Sequence, residues 1–365
     1  MHQTSNPSSP RRTTLSLGIC AAALLGACAS VDPGAMAKTG TNFTADADMQ
    51  MVLDSLASLG GKPIENLPAA QARMQPTVTD AVKALLVRQG KSTDPSVLVP
   101  GVTSADRQIP GPAGPLPIRV YTPKSAGPFP VIVYFHGGGW VIADKDVYDG
   151  GARGLSAATG AVVVSVDYRR APEAKFPAAW DDALATYRWA TANAASLNGT
   201  QKFALAGESA GGNLAVATAV AARDAGLPKP SAILAVYPVG QTGDMGTPSY
   251  VDSATAKPLS KAMIGWFVDK LLAKPADAAD PRINLVNANL TGLPPTFIIN
   301  AEIDPLRSDG DLLAAALIRA GVRVERTVYR GVTHEFFGTA AVVAKAREAQ
   351  AVAGELLKKA LSLMP

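Results

Sequence analysis

The hexapeptide Gly207-Glu208-Ser209-Ala210-Gly211-Gly212 sets a serine between glycines at positions −2 and +2. An apolar, strand-like run, Phe203 to Ala206, precedes it, and a helical stretch follows from Asn213 onward. A serine on a sharp strand-to-helix turn has its hydroxyl lifted clear of the chain, and its neighbours must be nearly free of side chains or they collide. The helix that begins behind it adds a positive dipole where negative charge would develop during nucleophilic attack. Gly-x-Ser-x-Gly also arises as a plain glycine-rich turn; the strand before it and the helix after it favour a nucleophile.

Such a nucleophile needs donors for the oxyanion that it creates. His136-Gly137-Gly138-Gly139-Trp140 directly follows the apolar run Val131 to Phe135. Three successive glycines let the backbone come close to a substrate and aim amides at it. With the amide of Ala210, those of Gly138 and Gly139 form a candidate oxyanion hole, in which each donor is worth on the order of 10² to 10³ in rate. Three glycines alone would equally make a flexible turn, and it is their place upstream of the serine motif that gives them a role.

A general base is also required, and the chain has three histidines. His2 lies in an N-terminal leader and His136 opens the glycine loop, where a structural hydrogen-bonding role suits it better. His334, in Gly331-Val332-Thr333-His334-Glu335-Phe336 after the last apolar run, remains as the base. The carboxylate that would orient it is expected between serine and histidine. Asp304 in Ala301-Glu302-Ile303-Asp304-Pro305-Leu306 stands just past a strand end. A turn-capping role before Pro305, or the use of Glu302 or Asp309 instead, are the competing readings. Trp140, Trp266, Phe267 and Phe337 are candidates for pocket lining.

The elements that must position these groups alternate. Apolar runs occur at Ile118 to Tyr121, Val131 to Phe135, Val162 to Val166, Phe203 to Ala206, Ile233 to Tyr237, Phe297 to Asn300 and Val322 to Val328. Their length and β-branched content fit strands covered on both faces. Helical candidates near 177–195, 210–225, 306–320 and 338–362 lie between or after them. This β-α alternation predicts an α/β fold with a mostly parallel, doubly wound sheet. Residues 48–90 read as amphipathic helix, so a region of about 48–100 is expected to form part of a helical cap, with a second part inserted at about 241–275 around Trp266 and Phe267. The catalytic body is then 101–365.

The first residues carry an address. A basic pair, Arg11 and Arg12, precedes an apolar stretch from Leu15 to Leu25 and then small residues ending in Cys28. That is the layout of a signal peptide, and the stretch is too short to span a bilayer roughly 30 Å thick. Leu25-Gly26-Ala27-Cys28 looks like a bacterial lipobox, so residues 1–27 are expected to be removed and Cys28 lipidated. Residues 28–47 would then tether the body to a membrane of the cell envelope. Cleavage as an ordinary signal peptide, leaving a soluble exported protein, is the alternative. Cys20 and Cys28 are the two cysteines, so a mature chain has no partner for an internal disulfide.

Composition excludes other classes. With 47% hydrophobic and 18% charged residues the chain can bury a large core, and a formal net charge of +4, lowered further when Arg11 and Arg12 are removed, is too small to argue for nucleic acid. There is no Walker loop, no metalloprotease helix, no Cys-x-x-Cys pair and no strand followed by Gly-x-Gly-x-x-Gly, so neither metal nor nucleotide is implied.

Together these segments resemble the hormone-sensitive-lipase family of esterases, the bacterial group called type IV, over about residues 105–362. The resemblance rests on five motifs in order: His136 to Trp140, Asp167-Tyr168-Arg169-Arg170-Ala171-Pro172-Glu173, the serine turn, Ala301 to Leu306 and the His334 loop. It implies an α/β-hydrolase with an eight-stranded core, a helical cap, a triad of Ser209, Asp304 and His334, and no cofactor. It further implies hydrolysis of small-molecule esters of short to medium acids, and a bracing role for Arg169 and Glu173 behind the oxyanion loop through buried charge pairs. The chain departs from the pattern at Glu208, where aspartate or threonine is more frequent. An amidase or acyltransferase would use the same triad. A binding protein on this fold, as in the plant gibberellin receptors that have lost the histidine, would not keep all three members.

Overall fold

The structure, a computed structural model, describes residues 43–363. The expected leader 1–27, Cys28 and the first part of the tether lie outside the described residues. Eight strands form one sheet: β1 Val102–Gly111, β2 Gly114–Pro123, β3 Phe129–Phe135, β4 Val162–Val166, β5 Gly199–Glu208, β6 Ala232–Val236, β7 Thr296–Ile303 and β8 Val324–Thr333. Their order is β1-β2-β4-β3-β5-β6-β7-β8. β2 runs antiparallel to both neighbours, and every other pair is parallel.

The helices are α1 Ala47–Ser58, α2 Ala69–Ala72, α3 Val78–Arg88, α4 Pro95–Leu98, α5 Asp149–Thr159, α6 Ala178–Ala192, α7 Ala210–Asp224, α8 Pro248–Asp252, α9 Lys261–Leu271, α10 Arg307–Arg319 and α11 Ala344–Leu363. Helices α6, α7 and α10 cover one face of the sheet and α5 and α11 the other. Strands with both faces covered are largely apolar, and β4 and β6 are buried at every position, with Ser165 their one polar residue. Each large core side chain, such as Phe203 on one face or Ile132 on the other, would cost roughly 2–5 kcal/mol to truncate to alanine.

Two elements escape the apolar pattern. β1 is an edge strand exposed over most of its length, so its sequence carries no apolar run. α5 contains Gly150, Gly151 and Gly154, poor helix formers. They are there for closeness: a Cβ would run into Gly338 at the first, the Glu208 carboxylate at the second and Gln350 at the third. The expected helix from 338 instead starts at Ala344, after a 3-10 turn at Phe336–Thr339.

The N-terminal region divides. α1 and α3 pack on each other and add Met49, Val52, Val82 and Leu86 to the core on the α5 and α11 side. Between them Gly60, Pro63, Pro68 and Pro76 break the helix, leaving a 3-10 turn at Ile64–Asn66 and the short α2. Ile64, Ala69 and Ala72 join the opposite core, alongside α9. At the N-terminal end of the described chain, Asp46 is fixed by its amide to the Gly331 carbonyl at 2.8 Å and by its carboxylate to Lys345 at 2.6 Å. No helix among the described residues is long and apolar enough to cross a membrane.

The segment after β4 differs from expectation. Arg169 pairs with the fully buried Asp182 at 2.7 Å, tying this loop to α6 and not to the glycine loop. Glu173 is mostly exposed and is held by Arg73, which meanwhile donates to the Val141 and Ala171 carbonyls at 2.8 Å each. The direct brace on the glycine loop is Tyr168, whose hydroxyl donates to the His136 carbonyl at 2.9 Å while its ring stacks on the His136 imidazole. A tyrosine between charged neighbours carries no sequence signal for that task.

Candidate active site

β5 ends at Glu208 and α7 begins at Ala210, leaving Ser209 alone on the turn with φ 58° and ψ −120°. A residue with a side chain pays on the order of 1–3 kcal/mol for such a backbone, so the surroundings must impose it. Ser209 donates its amide to the Val236 carbonyl at 2.8 Å, and its own carbonyl accepts from Asn213 and Val239. At Gly207 an added Cβ would overlap the Gly211 carbonyl; at Gly211 it would overlap the carbonyls of Phe135 and His136. The bare neighbours that the sequence offers are thus used by the end of β3 packing onto the turn.

The glycine loop continues β3. Gly138 and Gly139 have φ of 95° and 59°, and the Gly138 carbonyl accepts from the amides of Val141 and Ile142, curling the loop over the serine. The amides of Gly138, Gly139 and Ala210 donate to no acceptor among the described residues. His136 is fully buried and bonds within its own loop, Nδ1 to the Gly137 carbonyl, and burial pushes its pKa down. Its hydrogen bond within the loop gives it the structural role its position suggests.

His334 follows β8 directly and Asp304 follows β7 directly, so the sheet itself brings them to the serine. The serine hydroxyl donates to His334 Nε2 at 2.9 Å, and Nδ1–H donates to Asp304 Oδ2 at 2.7 Å. The other Asp304 oxygen accepts from the Leu306 amide at 2.8 Å, which fixes the carboxylate. All three side chains are shielded from water, with Ser209 only 5% exposed. Burial alone would push the His334 pKa down, but the Asp304 carboxylate, helped by Glu335 and Glu208, outweighs it and the net shift is upward.

The competing carboxylates are engaged elsewhere. Glu302 accepts the Gly331 amide at 2.9 Å and so supports the base of the histidine loop. Asp309 accepts the amides of Gly240 and Gln241 and is pushed up to about 8 by burial.

Beside Ser209 lies an apolar cavity of about 20 Å³, lined among others by Trp140, Val239, Leu259, Ile264, Phe267 and Leu306. Little more than one water-sized sphere fits in such a space. Phe267 of α9 stands directly on the glycine loop, where a Cβ at Gly139 would strike its ring. Of the four aromatics expected here, Trp140 and Phe267 line the cavity. Trp266 instead donates its indole N–H to the Leu67 carbonyl, and Phe337 is packed in the α5 and α11 core. Helical periodicity on α9 could not say which of two adjacent aromatics faces the serine. Val239, Leu259 and Leu306 come from separate loops and carry no signature that would have singled them out.

Among the described residues no cluster of His, Cys, Asp or Glu suited to a metal is present. Residues 132–338 match the family of the alpha/beta hydrolase fold. A carboxylesterase of Mycobacterium tuberculosis, NlhH, is 39% identical over 293 residues, covering 78% of this chain and 91% of that protein. An ethyl acetate hydrolase of Pseudomonas putida is 32% identical, covering 82% and 92%. The solved structure of a hyperthermophilic esterase from the archaeon Pyrobaculum calidifontis superimposes with a TM-score of 0.77 at 34% identity, covering 87% and 98%. Fold, motif order and this likeness over nearly the whole length of known esterases agree: the chain belongs to the α/β-hydrolase family, in its hormone-sensitive-lipase-like group of carboxylesterases.

Proposed function

We propose that this carboxylesterase hydrolyses esters of short acids through an acyl-enzyme on Ser209, with His334 as general base and acid, Asp304 as its orienter, and the amides of Gly138, Gly139 and Ala210 as the oxyanion hole. The observation that carries the reading is the unbroken chain from Ser209 to His334 to Asp304 at 2.9 and 2.7 Å, set beside three amides with no other acceptor. His334 takes the proton as Ser209 attacks the ester carbonyl, and Asp304 stabilises the imidazolium so formed. The imidazolium then protonates the departing alcohol. Water, deprotonated by the same histidine, releases the acid and restores the serine.

Acyl preference follows from the cavity. Its walls are apolar, and its volume of about 20 Å³ leaves room for an acyl chain only where α9 yields. We also propose that the protein is exported and tethered to a membrane of the cell envelope through a lipid on Cys28, a reading supported by the basic, apolar and small-residue order of the first 28 residues.

Four outcomes are expected. With p-nitrophenyl esters from acetate to palmitate, the chain lacking residues 1–27 should turn over the short members best, and Ser209→Ala should lose at least about 10³-fold in kcat; equal turnover by the variant would remove Ser209 from the mechanism. Because His334 must be neutral to act as base and its pKa is raised, kcat/KM should fall as pH drops, with a midpoint above the ordinary histidine value of about 6.5. A midpoint well below that value would contradict the Asp304 pairing. Phe267→Ala should move the optimum to longer acyl chains, raising kcat/KM for octanoate over acetate by about tenfold, as expected for a few added methylenes in an apolar site; an unchanged profile would place the acyl group elsewhere. The full-length chain expressed in bacteria should incorporate labelled palmitate and sediment with membranes, and Cys28→Ala should abolish both. Label in the Cys28→Ala chain would defeat the anchor assignment.

A further inference from the structure

Beneath Ser209, on the sheet face away from the acyl cavity, lies a group of polar side chains that the ester mechanism does not use. It comprises the buried Glu208, Tyr134 of β3, Tyr237 just after β6 and Tyr148 just before α5, together with the partly buried Glu335 beside the base. Glu208 is 1% exposed, and its two oxygens are taken separately, one by the Tyr134 hydroxyl and the other by the Tyr237 hydroxyl. The charged groups acting on it are Glu335, which disfavours its ionisation, and His334, which favours it. The backbone of α5 presses on the carboxyl at Gly151, closing the remaining side.

A buried carboxyl beside a second carboxyl is costly, and two hydroxyl donors offset only part of the cost. The geometry says what it accomplishes. Tyr237 is held at φ 35°, an unusual backbone for a residue with a side chain, and its ring lies on the His334 imidazole with centroids 4.5 Å apart. Phe336 meets the same ring edge-on at 6.0 Å. The hydroxyl end of Tyr237 is fixed by Glu208. The imidazole is therefore located by three contacts: Asp304 at Nδ1, Ser209 at Nε2 and Tyr237 against its ring.

We propose that Glu208 is a positioning residue for His334, acting mechanically through the Tyr237 ring and electrostatically by favouring the imidazolium that forms when Ser209 surrenders its proton. The role rests on the reading of His334 as the base. Burial raises the Glu208 pKa to about 7, against the pull of the two tyrosine hydroxyls. Tyr148 and Glu335 complete the surroundings: the Tyr148 hydroxyl donates to Glu335 at 3.1 Å and also abuts Gly137 of the glycine loop.

The test is the pH dependence of kcat and KM for a short p-nitrophenyl ester in the full chain, in Glu208→Gln and in Tyr237→Phe, with thermal unfolding of each. Glu208→Gln keeps the shape but removes the charge. It should lower kcat by about tenfold, as small displacements of a catalytic group do, with KM within about twofold. Its acid limb should move to lower pH by about half a unit, because a charge that held the imidazolium is gone. Tyr237→Phe keeps the ring but frees its outer end, and should lower kcat by a smaller factor. Wild-type kcat and an unmoved limb in Glu208→Gln would overturn the role, as would a loss of kcat that merely follows a lowered unfolding temperature with the limb in place. An unsubstituted chain that turns over no ester defeats the triad reading and this role together, whereas turnover with an indifferent Glu208→Gln defeats the role alone.

Discussion

Everything at the site depends on one close approach: the carbonyls at the end of β3 lie against the backbone of Gly211, with no room for a side chain between them. That contact presses the strand-to-helix turn into the positive φ of Ser209 and places the glycine loop, which continues β3, over the serine hydroxyl. The strain of on the order of 1–3 kcal/mol is small beside the apolar burial of β3, β5 and α7 around it, so the core can hold the turn in place. Ser209 and the amides of the glycine loop thus form one unit, made from the ends of two neighbouring parallel strands.

His334 and Asp304 arrive from the other side of the sheet centre by the same device. β7 and β8 are adjacent and parallel, and Asp304 and His334 sit just past their carboxyl ends. Parallel strands deliver their C-terminal ends to one edge, which explains how residues about a hundred positions apart meet without a dedicated scaffold. Around the imidazole the protein then gathers the buried Asp304 and Glu208 and the partly buried Glu335, and their combined field outweighs the burial that would otherwise disfavour its protonation. An imidazole that is to take a proton from Ser209 would be helped by that bias.

The cover over the serine comes from elsewhere in the chain. α9 supplies Ile264, Phe267 and Val268 to the cavity, while Trp266 points away from it to bond the Leu67 carbonyl of the N-terminal segment. Access to Ser209 is thereby joined to residues 64–72, whereas α1 and α3 belong to the core on the opposite face. What packs on α9 therefore bounds the apolar space beside Ser209.

The sequence by itself determined the chemistry. Glycines flanking Ser209, three glycines after a strand, and a single histidine outside the first residues and the glycine loop restrict the choice of residues because ester hydrolysis through a serine tolerates few alternatives at those positions. The alternation of apolar runs with helical stretches likewise specified a doubly wound sheet, since strands covered on both faces are largely apolar. What lacked such local signatures was decided only in three dimensions. β1 is exposed, and α5 is built from glycines whose value lies in what they let approach. The selection of Asp304 over Glu302 and Asp309 depended on which carboxylate the end of β7 aims at the imidazole, and the others are occupied by amides. Phe267 was separated from Trp266, and Tyr168 from Arg169 and Glu173, by the directions of side chains on packed elements. The linkage of Glu208 to His334 through Tyr237 joins three residues at the ends of three different strands. Tertiary packing alone creates such contacts, because nothing in the spacing of those residues along the chain records their distance in space.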